Sequence, residues 1–257
     1  MKTAIVAIAK NEDHYINEWL DYHFGLGFDN IIVCDNDDEL ILPSIISDQR
    51  VIIEDFTGLK NIQQITYKQM FLKYRSDFDW IFIIDIDEFL VLEKDSNVKD
   101  FLSNFPDEVE SINLCSKNFT DNDELDVVND NYNVLERFTH QVSTRNDSKV
   151  KCFIRQSIKD DYIRRLTQHA INDKNVYAVN AKGDKIYNGP TTKIVYEGAW
   201  INHYRTKTIG EFIRQKYFRG GLNFNDSKYH NLRYFWEINE YTPEKEAYAK
   251  QLIEKLA

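Results

Sequence analysis

The chain has 257 residues, 42% of them hydrophobic and 14% aromatic, with only 9 Gly and 4 Pro. That is enough apolar material for one large domain or two intimate lobes, and it excludes collagenous, linker-rich and disordered classes. The 42 acids outnumber the 32 bases, a formal net charge of -10, which argues against a nucleic-acid partner held by phosphate contacts.

In chain order, residues 3–9 (TAIVAIA) form an apolar run of strand length. Asn11 is then expected to cap a helix carrying Ile16, Trp19, Leu20 and Phe24 on one face, stopped by Gly25 and Gly27. Residues 31–34 and 51–53 predict two further strands. A helix is expected from about Asn61 to Tyr74. Residues 80–84 (WIFII) predict a fourth strand with no polar alternation, the pattern of a strand covered on both faces. This alternation predicts an α/β fold with a mostly parallel central sheet flanked by helices. The second half is more mixed. Short strands are expected at 109–114, 150–154, 176–179, 194–196 and 199–202. Helices are expected at 209–219 and 243–256, the latter with Thr242 as N-cap and Pro243 in its first turn. The last helix places Tyr248, Leu252 and Leu256 on one stripe, suited to packing on its own domain, with peripheral membrane contact as the other use. No long linker intervenes, so one domain over 1–257 is expected, with halves of about 1–115 and 116–257.

Cys34, Cys115 and Cys152 are odd in number, widely spaced and set in apolar runs, which predicts buried thiols rather than a disulfide framework or a zinc site. The first residues lack the features of a secretory leader, and no run of 18 apolar residues occurs. A soluble cytoplasmic protein is expected, its sequons at Asn118, Asn146 and Asn225 being chance matches.

The most informative segment is Ile83-Ile84-Asp85-Ile86-Asp87-Glu88-Phe89-Leu90. Two carboxylates in i, i+2 relation at the end of an apolar strand share a face and repel each other unless a proton, hydrogen bonds or a cation intervenes. A hard divalent ion would bridge them and keep positions open for substrate phosphates. The carboxyl ends of strands are also where open α/β sheets bind ligands. The cluster at 35–39 follows the second strand, and Asp35 is its better candidate because it ends the strand directly. A solvated turn is the competing reading for Asp37, Asp38 and Glu39. Residues 121–126 are rich in acids but lack the glycine and closing glutamate of a calcium loop. Bases outnumber acids ten to seven from Tyr204 to Ala257, against 22 to 35 before it. The excess gathers in Arg205, Lys207, Arg214, Lys216 and Arg219, as a solvated face or as a clamp for phosphate.

Taken together, these residues resemble the GT-A glycosyltransferases of the group related to families 2 and 92. The resemblance runs through Ala9-Lys10-Asn11-Glu12, residues 18–23, Cys34-Asp35-Asn36, Gln63 with Tyr67, and Ile84 to Leu90. It continues through residues 119–123, Glu136-Arg137-Phe138, and 203–207 followed by Arg219-Gly220. Lys10 stands where Arg is common, and Thr120 where Gly is frequent. The resemblance implies transfer of a sugar from a nucleotide-sugar, a UDP-sugar foremost, to a saccharide or glycolipid acceptor in cell-surface polysaccharide or glycan synthesis. It implies that Asn11, Glu12, Asp35, Gln63, Asp85 and Lys207 bind the donor. It also implies that Asp85, Asp87 and His203 hold Mn²⁺ or Mg²⁺. Asp121 or Asp123 is the expected base of an inverting reaction. A strand-end phosphatase using the same two aspartates and a non-catalytic carbohydrate-binding module are the competing readings.

Overall fold

The structure is a computed structural model that describes residues 1–142, 149–186, 193–218 and 231–257. Arg219, Gly220, Asn146 and Asn225 lie outside the described residues. In chain order the elements are β1 (Thr3–Ala9), α1 (Ile16–Gly25), β2 (Asn30–Asp35), α2 (Leu42–Ile45), β3 (Val51–Asp55), α3 (Gln63–Tyr74) and β4 (Trp80–Ile83). There follow β5 (Glu88–Leu92), α4 (Val98–Ser103), β6 (Ser111–Asn118), α5 (Val134–Arg137), β7 (Val150–Arg155), α6 (Asp160–Ile163), β8 (Ala178–Asn180) and β9 (Lys185–Ile186). Last come β10 (Ala199–His203), α7 (Ile209–Phe212), a π-helical turn over Ile213–Tyr217, α8 (Leu232–Trp236) and α9 (Pro243–Leu256).

The chain divides into two compact units, residues 1–117 with 146–202, and residues 118–145 with 203–257. The segment 146–202 therefore returns to the unit begun by the first half. In the first unit the strands run in the order β3-β2-β1-β4-β7-β6-β10-β5, with β8 beside β6 and β9 beside β8. This is the expected α/β class with a central sheet. Its parallel portion is β3-β2-β1-β4, whereas β7 is antiparallel to both β4 and β6.

Every residue of β1 and β4 is buried, so neither strand shows polar alternation. Val6, Ile8, Ile32, Ile81, Ile83, Cys152 and Ile154 share one core cluster with Tyr67, Met70 and Phe71 of α3. Phe82 and Phe153, cross-strand partners in register, stack with ring centroids 4.1 Å apart, and Phe28 lies 6.2 Å from each. All three cysteines are free and buried, and burial pushes the Cys152 thiol up to about 12, so it is no nucleophile near neutrality.

Some local expectations fail for physical reasons. Asn11 does not cap α1. It sits at φ 56 in a left-handed turn, and the helix begins only at Ile16, without a side-chain cap. Residues 194–196 form no strand. Instead the Tyr196 hydroxyl donates to the Ser116 carbonyl, and its ring packs against Cys115, Val150 and Ala170. Only the first turn of the helix expected over 209–219 is α-helical, and it passes directly into the π turn. β5 and α4 were not anticipated. Thr242 and Pro243 do open α9, with the Thr242 hydroxyl accepting from Lys245 N. In the second unit Tyr248 and Leu252 pack on the cluster of Ile209, Phe212, Ile213 and Phe235, whereas Leu256 is exposed. Among the described residues no helix is long and apolar enough to cross a membrane.

α1 is tied to β5 by three side chains. Trp19 Nε1 donates to the Glu88 carbonyl at 2.8 Å and Tyr22 Oη to the Leu90 carbonyl at 2.7 Å. His23, fully buried, donates from Nδ1 to the Trp19 carbonyl at 2.8 Å and turns Nε2 toward Leu90 N. Burial lowers its pKa from 6.5 to about 3, outweighing the opposing backbone hydrogen bond. Below pH 6.5 the unfolded chain takes up a proton that the folded chain refuses, so stability falls as pH drops from there toward 3. The loss from this group reaches about 2 kcal/mol by pH 5. Urea unfolding at about pH 7.5 and about pH 5 should show a difference smaller by that amount in His23→Gln. An unchanged difference would assign the acid lability to other groups.

Candidate active site

The carboxyl ends of β1, β2 and β4 lie side by side. Ala9 is in register with Asp35, and Val6 with Ile83. Asn11, Glu12, Asp35 and the 85–88 segment therefore emerge along one edge of the first unit's sheet, the edge at which parallel α/β sheets bind ligands.

Asp35 is fully buried and its oxygens are committed. Oδ1 accepts Asp37 N at 3.2 Å, and Oδ2 accepts Ile41 N at 3.1 Å and Leu42 N at 3.0 Å, so this carboxylate organises the entry to α2. Asp37, for which a solvated turn is one of the two sequence readings, is 5% exposed and therefore not solvated. Its Oδ1 accepts Asn11 N at 2.7 Å, while Oδ2 has no hydrogen-bond partner among the described residues. Burial is the main cause that raises its carboxyl above the ordinary range. Asn11 is exposed and Glu12 buried, with the Glu12 carbonyl accepting Tyr15 N and Ile16 N at the start of α1.

The Asp85 carboxylate is the best-braced group on this edge. Tyr67 Oη donates to its Oδ1 at 2.5 Å and Gln63 Nε2 donates to the same oxygen at 3.2 Å, both from α3. The Lys151 ammonium of β7 meets its Oδ2. Lys151 also lies 3.2 Å from Glu88 Oε2, and Glu88 Oε2 accepts Asp85 N at 3.1 Å. Lys151 and Glu88 are each 2% exposed, Asp85 27%. Burial is the largest influence and pushes the Asp85 carboxyl up, as does the Asp87 charge, but the Lys151 charge together with the hydrogen bonds from Lys151 and Tyr67 holds the group below the usual carboxylate range. Conversely, burial opposes the Lys151 ammonium, while Asp85 and Glu88 hold its pKa above the ordinary lysine value. Gln63 and Asp85, both named from the resemblance, are thus in contact, with Tyr67 beside them, whereas Lys151 was missed. The available signal was a lysine inside the otherwise apolar run that begins β7, a position where an ammonium needs a buried partner.

Among the described residues no three or more His, Cys, Asp or Glu side chains converge as a ready-made metal cage. The residues at this edge fit a different kind of ion site. A hard ion that takes most of its ligands from a diphosphate and water needs only one or two carboxylates from the protein. Asp87, 9% exposed, has that chemistry. β4 ends at Ile83, so Asp85 and Asp87 lie in the turn between β4 and β5 and not on the strand that the sequence predicted to carry them.

In the second unit, His203 ends β10 and its carbonyl accepts Phe119 N at 3.1 Å. Lys207 is 2% exposed, adopts a left-handed φ of 53, and donates from Nζ to Gln215 Oε1 at 3.1 Å. Such a backbone is uncommon for a non-glycine residue and marks a position worth a functional reading. Of the described bases in this stretch, Arg205 and Lys207 are internal, whereas Arg214 is exposed and Lys216 half-buried. Arg205 is buried, Arg214 pairs with Asp126, and Lys216 Nζ donates to the Arg205 carbonyl at 2.6 Å. Nearby, buried Arg137 forks onto both oxygens of Glu211 at 2.9 Å, and Glu211 closes a capping box with Thr208.

The two candidate bases differ sharply in setting. Lys245 Nζ lies 2.8 Å from Asp121 Oδ2 and 2.9 Å from Asp123 Oδ1. The Asp121 side chain is 2% exposed and that of Asp123 is 77% exposed. Burial raises the Asp121 carboxyl despite the ammonium beside it. Asp121 N also donates to Asn239 Oδ1 at 2.7 Å, so Asp121 is walled in by α9 and the turn before it.

Comparison with known proteins adds the following. No curated protein matches the chain. S. aureus TarS is 16% identical over 50% of this chain and 23% of its own, with a TM-score of 0.35. The mannosyltransferase PcManGT from Pyrobaculum calidifontis, solved with GDP-Man and Mn²⁺, is 16% identical over 44% of this chain and 35% of its own, with a TM-score of 0.32. A 4-diphosphocytidyl-2C-methyl-D-erythritol synthase is 11% identical over 75% of this chain and 94% of its own, with a TM-score of 0.45. The chain spans well under half the length of the first two. The sequence model of glycosyltransferase family 92 matches residues 56–241, which covers well over half the chain and takes in β4, the 85–88 carboxylates, Lys151, His203 and Lys207. The chain belongs to glycosyltransferase family 92.

Proposed function

We propose that this chain transfers a sugar from a UDP-sugar to a saccharide or glycolipid acceptor, by a metal-dependent, inverting displacement, in cell-surface polysaccharide or glycan synthesis. The observation that carries the reading is the set of braced carboxylates at the carboxyl end of β4 in a member of this family. The different settings of Asp85 and Asp87 in the turn after β4 support a division of labour. Asp85, fixed by Tyr67, Gln63 and Lys151, offers a rigid acceptor to donor hydroxyls. Asp87 would hold Mn²⁺ or Mg²⁺, with His203 as the further ligand that the resemblance implies. A divalent ion there supplies Lewis-acid stabilisation of the departing diphosphate. Asn11 and Glu12 line the nucleoside end, with the buried Oδ2 of Asp37, unpartnered among the described residues, behind them, while Asp35 shapes the loop beneath it. The buried ammonium of Lys207 suits a diphosphate oxygen better than solvent does.

Base catalysis is assigned to Asp123 rather than Asp121. A base must reach the acceptor hydroxyl and stay ionised near neutrality. Asp123 presents an exposed carboxylate beside the Lys245 cation, whereas Asp121 is enclosed and serves to hold Lys245. A single displacement with such a base inverts the anomeric centre.

These assignments separate by experiment. Calorimetry with Mn²⁺ present should show UDP binding more tightly than GDP or CMP, and excess EDTA should abolish turnover. Tighter GDP or CMP binding would refute the donor choice, and full activity in EDTA the metal. Asp87→Ala should lower turnover about a thousandfold with little change in the melting temperature.

Asp123→Asn should lower kcat about a hundredfold or more at nearly unchanged stability. Lys245→Met should instead destabilise the fold by about 3 kcal/mol, because it strands the Asp121 charge in a buried site. Near-normal turnover by Asp123→Asn would place the base elsewhere, and a Lys245→Met protein of wild-type stability would deny Asp121 its bracing role.

A further inference from the structure

Lys151 stands on β7, the strand that runs antiparallel between β4 and β6. Cys152 is in register with Ile83, so Lys151 comes level with the point where β4 gives way to the Asp85 segment. Its ammonium meets Asp85 Oδ2 and lies 3.2 Å from Glu88 Oε2, with the lysine side chain 2% exposed. Asp85 Oδ1 is taken by Tyr67 and Gln63. Both oxygens of Asp85 thus already hold strong donors, one of them a full positive charge in a dry setting. A divalent ion that used Asp85 as a ligand would have to displace the ammonium, or share an oxygen with it against their mutual repulsion.

We propose that Lys151 is a built-in counter-ion that withholds Asp85 from metal coordination, so that the divalent ion is held through Asp87 while Asp85 remains a fixed hydrogen-bond acceptor. The inference rests on the metal-dependent reading given above. Lys151 is a positioning residue. It acts through Asp85 and Glu88, and it sets how many carboxylates the site offers to an ion. Removing its charge frees Asp85 and Glu88, and an added carboxylate ligand tightens binding of a hard ion.

The test is a titration of Mn²⁺ followed by the electron paramagnetic resonance signal of the free ion, with and without UDP, on the full chain. Asp87→Asn should weaken Mn²⁺ binding about tenfold or more. Asp85→Asn should stay within about threefold of wild type. Lys151→Met should bind Mn²⁺ about tenfold more tightly, and Asp85→Asn added to it should cancel that gain. Lys151→Arg, which keeps the charge, should behave as wild type. A merely structural lysine would not tighten metal binding when removed.

The proposal is overturned if Asp85→Asn loses Mn²⁺ as severely as Asp87→Asn, or if a folded Lys151→Met binds Mn²⁺ no better than wild type. If Lys151→Met fails to fold, the Asp85→Asn comparison decides alone. Failure of the underlying reading has a different signature. Wild type would then bind no Mn²⁺ at all, with or without UDP, and that result removes the metal site and this inference together.

Discussion

A buried ammonium among carboxylates organises the edge of the first unit's sheet where the candidate site lies. Lys151, at 2% exposure, joins the strand that carries it to the Asp85–Glu88 turn, and Asp85 in turn receives Tyr67 and Gln63 from α3. One charge therefore ties together β7, the end of β4, the start of β5 and the helix that covers the sheet. Burying so many ionic groups is costly unless each is paired. The arrangement meets that demand with fixed geometry, which is what the proposed donor site would require.

Glu88 belongs to this network on both its chemical faces. Its carboxylate meets Lys151 and Asp85 N, while its carbonyl accepts Trp19 Nε1. Displacement of α1 would thus be felt at Asp85 through a single residue. The neutral His23 one turn along reinforces the same junction and needs no counter-charge there. The second unit uses a similar economy. Lys245 serves two aspartates of one loop, and Arg137 serves Glu124 and Glu211.

Much of the fold is legible in the sequence where burial is two-sided. TAIVAIA and WIFI read as strands because nothing polar interrupts them, and Thr242-Pro243 announces α9 by capping chemistry. The short elements were hidden, since β5 and α4 have too few residues for a period to show. Asn11 misled because its side chain suits a cap and also suits a left-handed turn, and the backbone takes the turn. At the site, strand position does not reveal the settings of Asp35 and Asp37. The residue that ends the strand accepts three backbone amides, whereas Asp37, two residues on, keeps a buried Oδ2 without a hydrogen-bond partner among the described residues. Lys151 could not be connected to Asp85 from sequence, because their meeting depends on the register of strands 66 residues apart.

That separation shapes how the protein is made. The parallel strands β3, β2, β1 and β4 are complete once the first 83 residues have left the ribosome. Until β7 arrives, β4 is an apolar edge with unpaired amides and carbonyls, a template for wrong pairing. Over the same interval Asp85 and Glu88 lack their ammonium, so the nascent edge is both sticky and electrostatically unbalanced. At ordinary synthesis rates the delay lasts several seconds, longer than most local folding steps. The arrival of β7 therefore closes that edge twice over, by pairing with β4 and by bringing Lys151 to the two carboxylates.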